Sequence, residues 1–180
     1  MATEKKAKSG MKARSKVKTK AKTKTKAKAK AATPSRRPFW ERKTLREMTP
    51  KEWESLCDGC GKCCLNKLED EDTGEVFYTR VACRYLDAEK CRCTVYSQRK
   101  VKVPDCVVLK PGNLKQLHWM PGTCAYRLLY EGKPLPVWHP LLTGSRDAII
   151  ASDHTVTGKV MSEEFVHEDG LEEHIVDWAG

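Results

Sequence analysis

The 180-residue chain lacks a run of about 18 apolar residues, the length that a membrane-spanning helix needs. Its basic beginning does not lead into an apolar stretch of about 7 to 15 residues, so we expect no secretory signal peptide. It also has no GxGxxG, phosphate-loop or HExxH motif, and a nucleotide-dependent enzyme would have no visible phosphate cradle. These absences predict a cytoplasmic protein with no membrane partner, in a compartment where structural disulfides are rare.

Acidic residues are nearly absent from residues 1–38, which hold 15 of the 34 Lys and Arg residues and Glu4 as their one acid. Lys occupies every second position from Lys16 to Lys30, a spacing that leaves no apolar helical face. Because like charges this dense repel one another, we predict that residues 1–38 form a disordered tail. Two interpretations of its role stay open: non-specific attraction to nucleic-acid phosphates, or an expendable solvated extension.

Residues 39–180 hold 23 acidic and 19 basic side chains, and we predict that they form one small, loop-rich α+β domain. Thr49 and Glu52 have the spacing of a capping box, which predicts a helix that runs straight into the first cysteines. The other predicted elements are a hairpin around Asp72 to Gly74, a helix over Thr123–Tyr130, an extended stretch over Asp147–Val160 and a helix near Leu171–Trp178.

Nine cysteines are present, and four of them lie in the eight-residue segment "CDGCGKCC". These four are Cys57, Cys60, Cys63 and Cys64. Their spacing lets the sulfurs face one point, and the intervening glycines favour a loop that can approach a bound group closely. A disulfide, a bound metal and a reactive thiol are the three interpretations to compare. An odd number of cysteines and the predicted compartment both disfavour disulfides.

CxxCxxC is also how the ligand sequence of bacterial ferredoxins begins, where thiolates hold an iron-sulfur cluster. Structural zinc more often uses two separated CxxC pairs, and a second pair at that spacing is missing here. A reactive cysteine would need a neighbouring base or positive charge, which Lys62 or a distant His could supply. The five histidines show no ligand spacing, and we expect them to be structural or solvent-facing; His139 is the first to test.

Several blocks in the same order resemble the CxxCxxCC family, described as chelating zinc or iron, and its YcgN-type bacterial branch in particular. The blocks are "FWERKTLREMTPKEWESLCDGCGKCC", a CxxY element, a Cys after proline, "TCAYRLL" and "WHPLLTGS". The resemblance covers about Phe39 to Gly180 and does not extend to the Lys-rich tail. It implies seven candidate metal ligands: Cys57, Cys60, Cys63, Cys64, Cys83, Cys93 and Cys106. It leaves Cys91 and Cys124 open.

We therefore expect a cytoplasmic bacterial protein that binds an iron-sulfur cluster, or alternatively zinc, through residues 39–180, with a structural or redox role. A related motif occurs in flagellin lysine methylases, so the resemblance also admits a metal-dependent enzyme acting on protein or RNA. A binding module that zinc keeps folded is the third alternative. No catalytic residue and no specific partner follows from the sequence.

Overall fold

The computed structural model describes residues 37–180. The tail predicted for residues 1–38, with its nucleic-acid role, therefore lies almost entirely outside the described residues. Arg37 to Gly180 form a single compact unit.

Short helices and short strands make up the fold, and long connections join them. Within residues 37–180 the α-helices are α1 Phe39–Arg42, α2 Pro50–Ser55, α3 Arg99–Lys102, α4 Ala125–Tyr130, α5 Pro140–Thr143 and α6 Asp147–Ala151. The strands are β1 Leu65–Glu69, β2 Val76–Ala82, β3 Leu86–Asp87, β4 Arg92–Cys93 and β5 Met161–Ser162. Five 3-10 turns lie at Lys62–Cys64, Tyr96–Gln98, Leu114–Gln116, Glu163–Phe165 and Glu168–His174. The prediction of a loop-rich α+β fold is confirmed.

Helix α2 begins with the predicted capping box. The Thr49 hydroxyl accepts a hydrogen bond from the Glu52 backbone N–H at 3.3 Å, and the Glu52 carboxylate accepts one from the Thr49 N–H at 2.8 Å. Pro50 occupies the first helical position, where its missing N–H costs no helical hydrogen bond. The helix ends at Ser55, so it stops just before the cysteines and does not continue into them.

Strands β1 and β2 form the predicted hairpin, with Lys67 opposite Tyr78 and a bulge between Leu65 and Lys67. Strand β5 adds to β2 in parallel, and β3 pairs with β4 in a separate antiparallel ribbon. The backbone N–H of Cys83 donates to the carbonyl of Cys64 at 2.9 Å. The hairpin therefore returns the chain to the end of the cysteine motif.

Two apolar clusters flank the cysteine motif. Leu56, immediately before the motif, is fully buried in a cluster with Leu114, Met120 and Tyr126. Leu65, immediately after it, is buried in a second cluster, which includes the fully buried Val156. Both ends of the motif are therefore fixed by apolar packing.

Two predictions about the last third of the chain were wrong. The stretch predicted to be extended, Asp147–Val160, instead contains helix α6, and its buried residues Thr155 and Val156 are adjacent, so they do not alternate along a strand. The predicted C-terminal helix lies earlier, as a 3-10 turn over Glu168–His174, and Ile175 pairs with Thr79 of β2. In the part of the chain that the structure describes, no helix has both the length and the apolar character to cross a membrane.

Candidate metal centre

The cysteine motif folds as a loop followed by a 3-10 turn. Gly59 and Gly61 have φ of +74° and +81°, in the left-handed region that favours glycine. A Cβ on Gly61 would lie 2.6 Å from Cγ2 of Val156. Both glycines are therefore required by the backbone, which confirms the predicted loop.

Backbone amides are directed at several of the sulfurs. Burial raises the pKa of Cys57 and of Cys60, and the N–H groups of Gly59 and Lys62, each two residues later, act against it and favour the thiolates. Cys83 and Cys124 show the same pattern, with the amides of Tyr85 and Tyr126. Such N–H groups stabilise thiolates and orient them toward a bound metal.

Six of the seven predicted ligands line one cavity of about 520 Å³. They are Cys57, Cys63, Cys64, Cys83, Cys93 and Cys106. The ribbon of β3 and β4 brings Cys93 opposite Leu86, three residues after Cys83. The fold thus carries thiols distant in sequence to one place, and their role as ligands stays a prediction.

The seventh residue, Cys60, lines a second cavity of about 40 Å³, together with Cys57, Cys63 and Cys124. The resemblance left the role of Cys124 open, and this residue stands at the N-cap of α4 and lines the second cavity. Asp58 is buried beside the second cavity, and its carboxylate accepts a hydrogen bond from the Cys60 N–H at 3.0 Å. Nothing in its local sequence distinguishes Cys124 from an ordinary buried thiol.

Burial governs the protonation of most of these thiols. It raises the pKa of Cys57 and of Cys124 to about 12, and it also raises the pKa of Cys60. The surface of Cys57 that solvent can reach faces the cavities. Protein atoms surround this residue on its other sides. Without a cation, these thiols therefore remain protonated at neutral pH.

Cys63 and Cys64 are adjacent, and each thiol shifts the pKa of the other. A hydrogen bond from Cys64 lowers the pKa of Cys63, and the same interaction raises the pKa of Cys64. Lys67 also favours the Cys63 thiolate, while its own pKa is lowered to about 8 by burial. Of the two, Cys63 is therefore the thiol that ionises first.

Lys62, the base considered for a reactive cysteine, is directed elsewhere. Its side chain is only 2% exposed, and the ammonium donates to the backbone carbonyl of Trp178 at 3.1 Å. His139 is fully buried, with Nε2 at 3.0 Å from the Leu56 carbonyl and Nδ1 accepting from the Leu141 N–H. The hydrogen bonds of both side chains are therefore structural.

Two further residues complete the surroundings. Cys91 lies outside both cavities, with its sulfur 3.2 Å from the hydroxyl of Thr157. Arg146 donates to the carbonyls of Gly59 at 2.7 Å and Lys90 at 3.0 Å. The sequence analysis missed Arg146, because its position 87 residues from Gly59 carries no local signal.

Within residues 37–180, no three Cys, His, Asp or Glu side chains already form a closed metal site. The chemistry of the donors nevertheless fits zinc or iron, since thiolates are the soft ligands that these metals take. Binding would require the cysteine side chains to draw together around the metal.

Comparison with known proteins agrees with this donor chemistry. Residues 56–125 match a family model named CxxCxxCC and described as "Putative zinc- or iron-chelating domain". The match supports metal binding and leaves the kind of metal open. The matched segment includes Cys124 as well as the seven predicted ligands.

Curated relatives extend the similarity to most of the chain. A UPF0260 protein of Marinobacter nauticus is 58% identical over 141 residues, covering 78% of this chain and 95% of the relative. UPF0260 proteins of Cellvibrio japonicus and Parvibaculum lavamentivorans are each 56% identical, covering 80% and 81% of this chain and 98% and 95% of their own lengths. No solved structure matches the chain. The chain therefore belongs to the UPF0260 family.

Proposed function

We propose that this protein is a cytoplasmic bacterial protein that binds an iron-sulfur cluster through its clustered cysteines. The observation that carries the proposal is that six of the predicted ligands line one cavity, and the backbone amides near the sulfurs of Cys57, Cys60 and Cys83 favour their thiolates. Hydrogen bonds to the sulfurs are a principal means by which a protein stabilises and tunes such a cluster. Nine free thiols also suit a reducing compartment.

The cluster would have a structural or a redox role. Between Cys64 and Cys106 the chain forms only short strands, helices and turns, so bonds to a metal would supply much of the order there. Zinc is the alternative metal, since four thiolates also satisfy a tetrahedral zinc site.

Anaerobic purification tests this proposal. The protein should be brown, with iron and acid-labile sulfide in comparable amounts per chain, and reduction by dithionite should change the visible spectrum reversibly if the role is redox. A colourless protein with stoichiometric zinc would contradict the iron-sulfur assignment and favour a zinc-stabilised module. A protein without any metal would favour reactive thiols.

The size of the larger cavity favours a second candidate, a metal-dependent enzyme acting on protein or RNA. About 520 Å³ is within the range of small-molecule sites and exceeds what a metal ion fills. Aromatic side chains, including Trp53, Tyr96 and Trp119, line it together with Lys67. The Lys67 ammonium lies 4.7 Å from the Trp119 ring centroid and could receive an anionic group of a substrate.

Chemical labelling tests this second candidate. Bacterial RNA, or a pool of cytosolic peptides, should slow acylation of the neutral Lys67 amine if either enters the cavity. Mass spectrometry of the labelled metal-loaded protein reads out the rate, and Lys115, outside the cavity, is the control. Equal labelling of Lys67 with and without both additions would contradict a substrate site there.

A further inference from the structure

Eight of the nine cysteines line one or both of the two cavities, and Cys57 and Cys63 line both. One set lines the smaller cavity: Cys57, Cys60, Cys63 and Cys124. The other set lines only the larger cavity: Cys64, Cys83, Cys93 and Cys106. The ninth, Cys91, lines neither and is instead 3.2 Å from the Thr157 hydroxyl.

The first set is assembled by the motif loop and helix α4. Three of its members are spaced three residues apart in the loop, and Cys124 precedes the first residue of α4. The Tyr126 hydroxyl donates to the Trp53 carbonyl at 2.9 Å, and the rings of these two residues are 4.7 Å apart. Helix α4 is therefore tied to α2, and Cys124 is held beside Cys57.

The second set is assembled by the hairpin and the β3–β4 ribbon. Cys64 and Cys83 are joined by the backbone hydrogen bond of 2.9 Å at the start of the hairpin. Cys93 ends β4, and the Thr94 N–H donates to the Tyr85 carbonyl at 2.8 Å, which fixes the ribbon beside Cys83. Cys106 reaches the same cavity from the turn after α3.

The adjacent pair Cys63 and Cys64 explains how one motif can serve two sets. Both residues lie in a 3-10 turn, in which successive side chains are about 120° apart. Cys63 accordingly borders the smaller cavity as well as the larger, whereas Cys64 borders the larger one alone. The two neighbouring thiols can therefore be assigned to different sites, Cys63 to the smaller cavity and Cys64 to the larger.

We infer that the chain has two separate four-cysteine metal sites, one formed by Cys57, Cys60, Cys63 and Cys124 and the other by Cys64, Cys83, Cys93 and Cys106. This inference rests on the proposed metal-binding function, and it adds the division of eight cysteines into two sites. Four thiolates are the set that a tetrahedral zinc or an iron-sulfur cluster takes.

Metal release from the unaltered full chain tests the partition directly. The protein as purified is treated with increasing amounts of a chelator, and the exposed thiols are alkylated and identified by mass spectrometry. We expect two steps, each exposing the four cysteines of one set, while Cys91 reacts independently of metal. Exposure of all eight cysteines together, or in sets of other composition, would overturn the partition. Eight reactive thiols before any chelator is added would instead contradict metal binding itself.

Single substitutions give an independent test. In zinc titrations of metal-free protein, the unaltered chain should bind two equivalents, and Cys60→Ser and Cys93→Ser should each bind one. In Cys60→Ser, the bound zinc should protect the second set from alkylation. In Cys93→Ser, the bound zinc should protect the first set. Cys124→Ser and Cys106→Ser repeat the comparison, and Cys91→Ser is the control that keeps two equivalents. A single equivalent in the unaltered protein would overturn the inference.

Discussion

Gly61 is the residue of the cysteine motif that a side chain would disturb most directly. Its φ of +81° is unfavourable for any other residue, and the Cγ2 atom of Val156 occupies the space where a Cβ would lie. The neighbouring Gly59 is covered by the Arg146 guanidinium, the end of a flexible side chain that can move. The backbone on either side of Cys60 is therefore fixed by two contacts of different rigidity.

Replacing Gly61 with Ala should destabilise the protein by about 2 kcal/mol or more, because backbone strain and overpacking against Val156 add. The unfolding temperature and the metal content per chain measure the effect, and both should be lower in the variant. The matched control is Gly122→Ala, since a Cβ there meets no atom within 4 Å. A variant at Gly61 that unfolds at the same temperature as the control would contradict this account.

Residue patterns in the sequence predicted part of this site. The glycines flanking Cys60 indicated a loop, and the resemblance named seven cysteines that the structure places on two cavities. The part played by Cys124 and Arg146 could not be predicted, because each reaches the motif through tertiary packing of a distant segment. Spacing along the chain predicts only the local geometry of the loop. The contacts that assign the thiols to the two sets come from residues distant in sequence.

Helix α2 is the element that leads the chain into the cysteine motif, and it is held at its start by polar contacts. Besides the capping box, the Lys43 ammonium lies 2.7 Å from the Glu52 carboxylate. The hydrogen bonds from Lys43 and from the Thr49 N–H lower the pKa of Glu52 to about 2. Since no residue of α2 itself is buried, these contacts are important for such a short helix.

The Glu52 carboxylate should make a small contribution to stability that depends on pH. Its folded pKa of about 2 is below its ordinary value, so the contribution is fully present above about pH 4.5 and is lost as the pH falls toward 2. We expect Glu52→Gln to unfold at a lower temperature than the unaltered protein at pH 7, with the difference shrinking below about pH 4.5. A difference that grows on acidification would contradict this sign.

Elements with strong local signals were predicted well. The capping box of α2, the β1–β2 hairpin and helix α4 all lie where the sequence indicated them. The segment from Asp147 was misjudged because β-branched residues favour a strand only where a neighbouring strand accepts them. Here Ile149 is buried and Ile150 is exposed, both on the short helix α6.

At the scale of the whole molecule, metal is expected to contribute more to stability than any one apolar side chain. Removing metal, or replacing Cys60 with Ser, should lower the free energy of unfolding by more than the roughly 2 to 5 kcal/mol that Leu65→Ala costs. The physical reason is that structural metal sites add about 10 to 16 kcal/mol in small peptides, and Ser is a poor substitute for a thiolate.

Unfolding under reducing, anaerobic conditions measures this difference, with the loaded, chelated and Cys60→Ser proteins compared side by side. Cys91→Ser is the matched control, because its hydroxyl can keep the hydrogen bond to Thr157. Coincident transitions for the loaded, chelated and Cys60→Ser proteins would mean that the thiols do not hold the domain together.

Deleting residues 1–36 should leave the unfolding temperature and the metal content unchanged, because Arg37 to Gly180 form their own compact unit. If the Lys-rich segment binds nucleic acid, the affinity of the full chain for duplex DNA should fall about 10³-fold or more between 50 and 200 mM salt. The truncated protein should lack that affinity at both salt concentrations. An affinity that does not vary with salt would exclude this role.

The contacts of Val156, His139 and Trp178 with the cysteine motif have a consequence for protein engineering. These residues lie after position 125, outside the segment that matches the family model. Val156 packs against Gly61, His139 hydrogen-bonds to the Leu56 carbonyl, and the Trp178 carbonyl accepts from Lys62. The CxxCxxCC segment is therefore not a portable module: grafted alone into another scaffold, it would leave behind the residues that shape its loop. A transplant that keeps the thiols in register must carry the chain as far as Trp178.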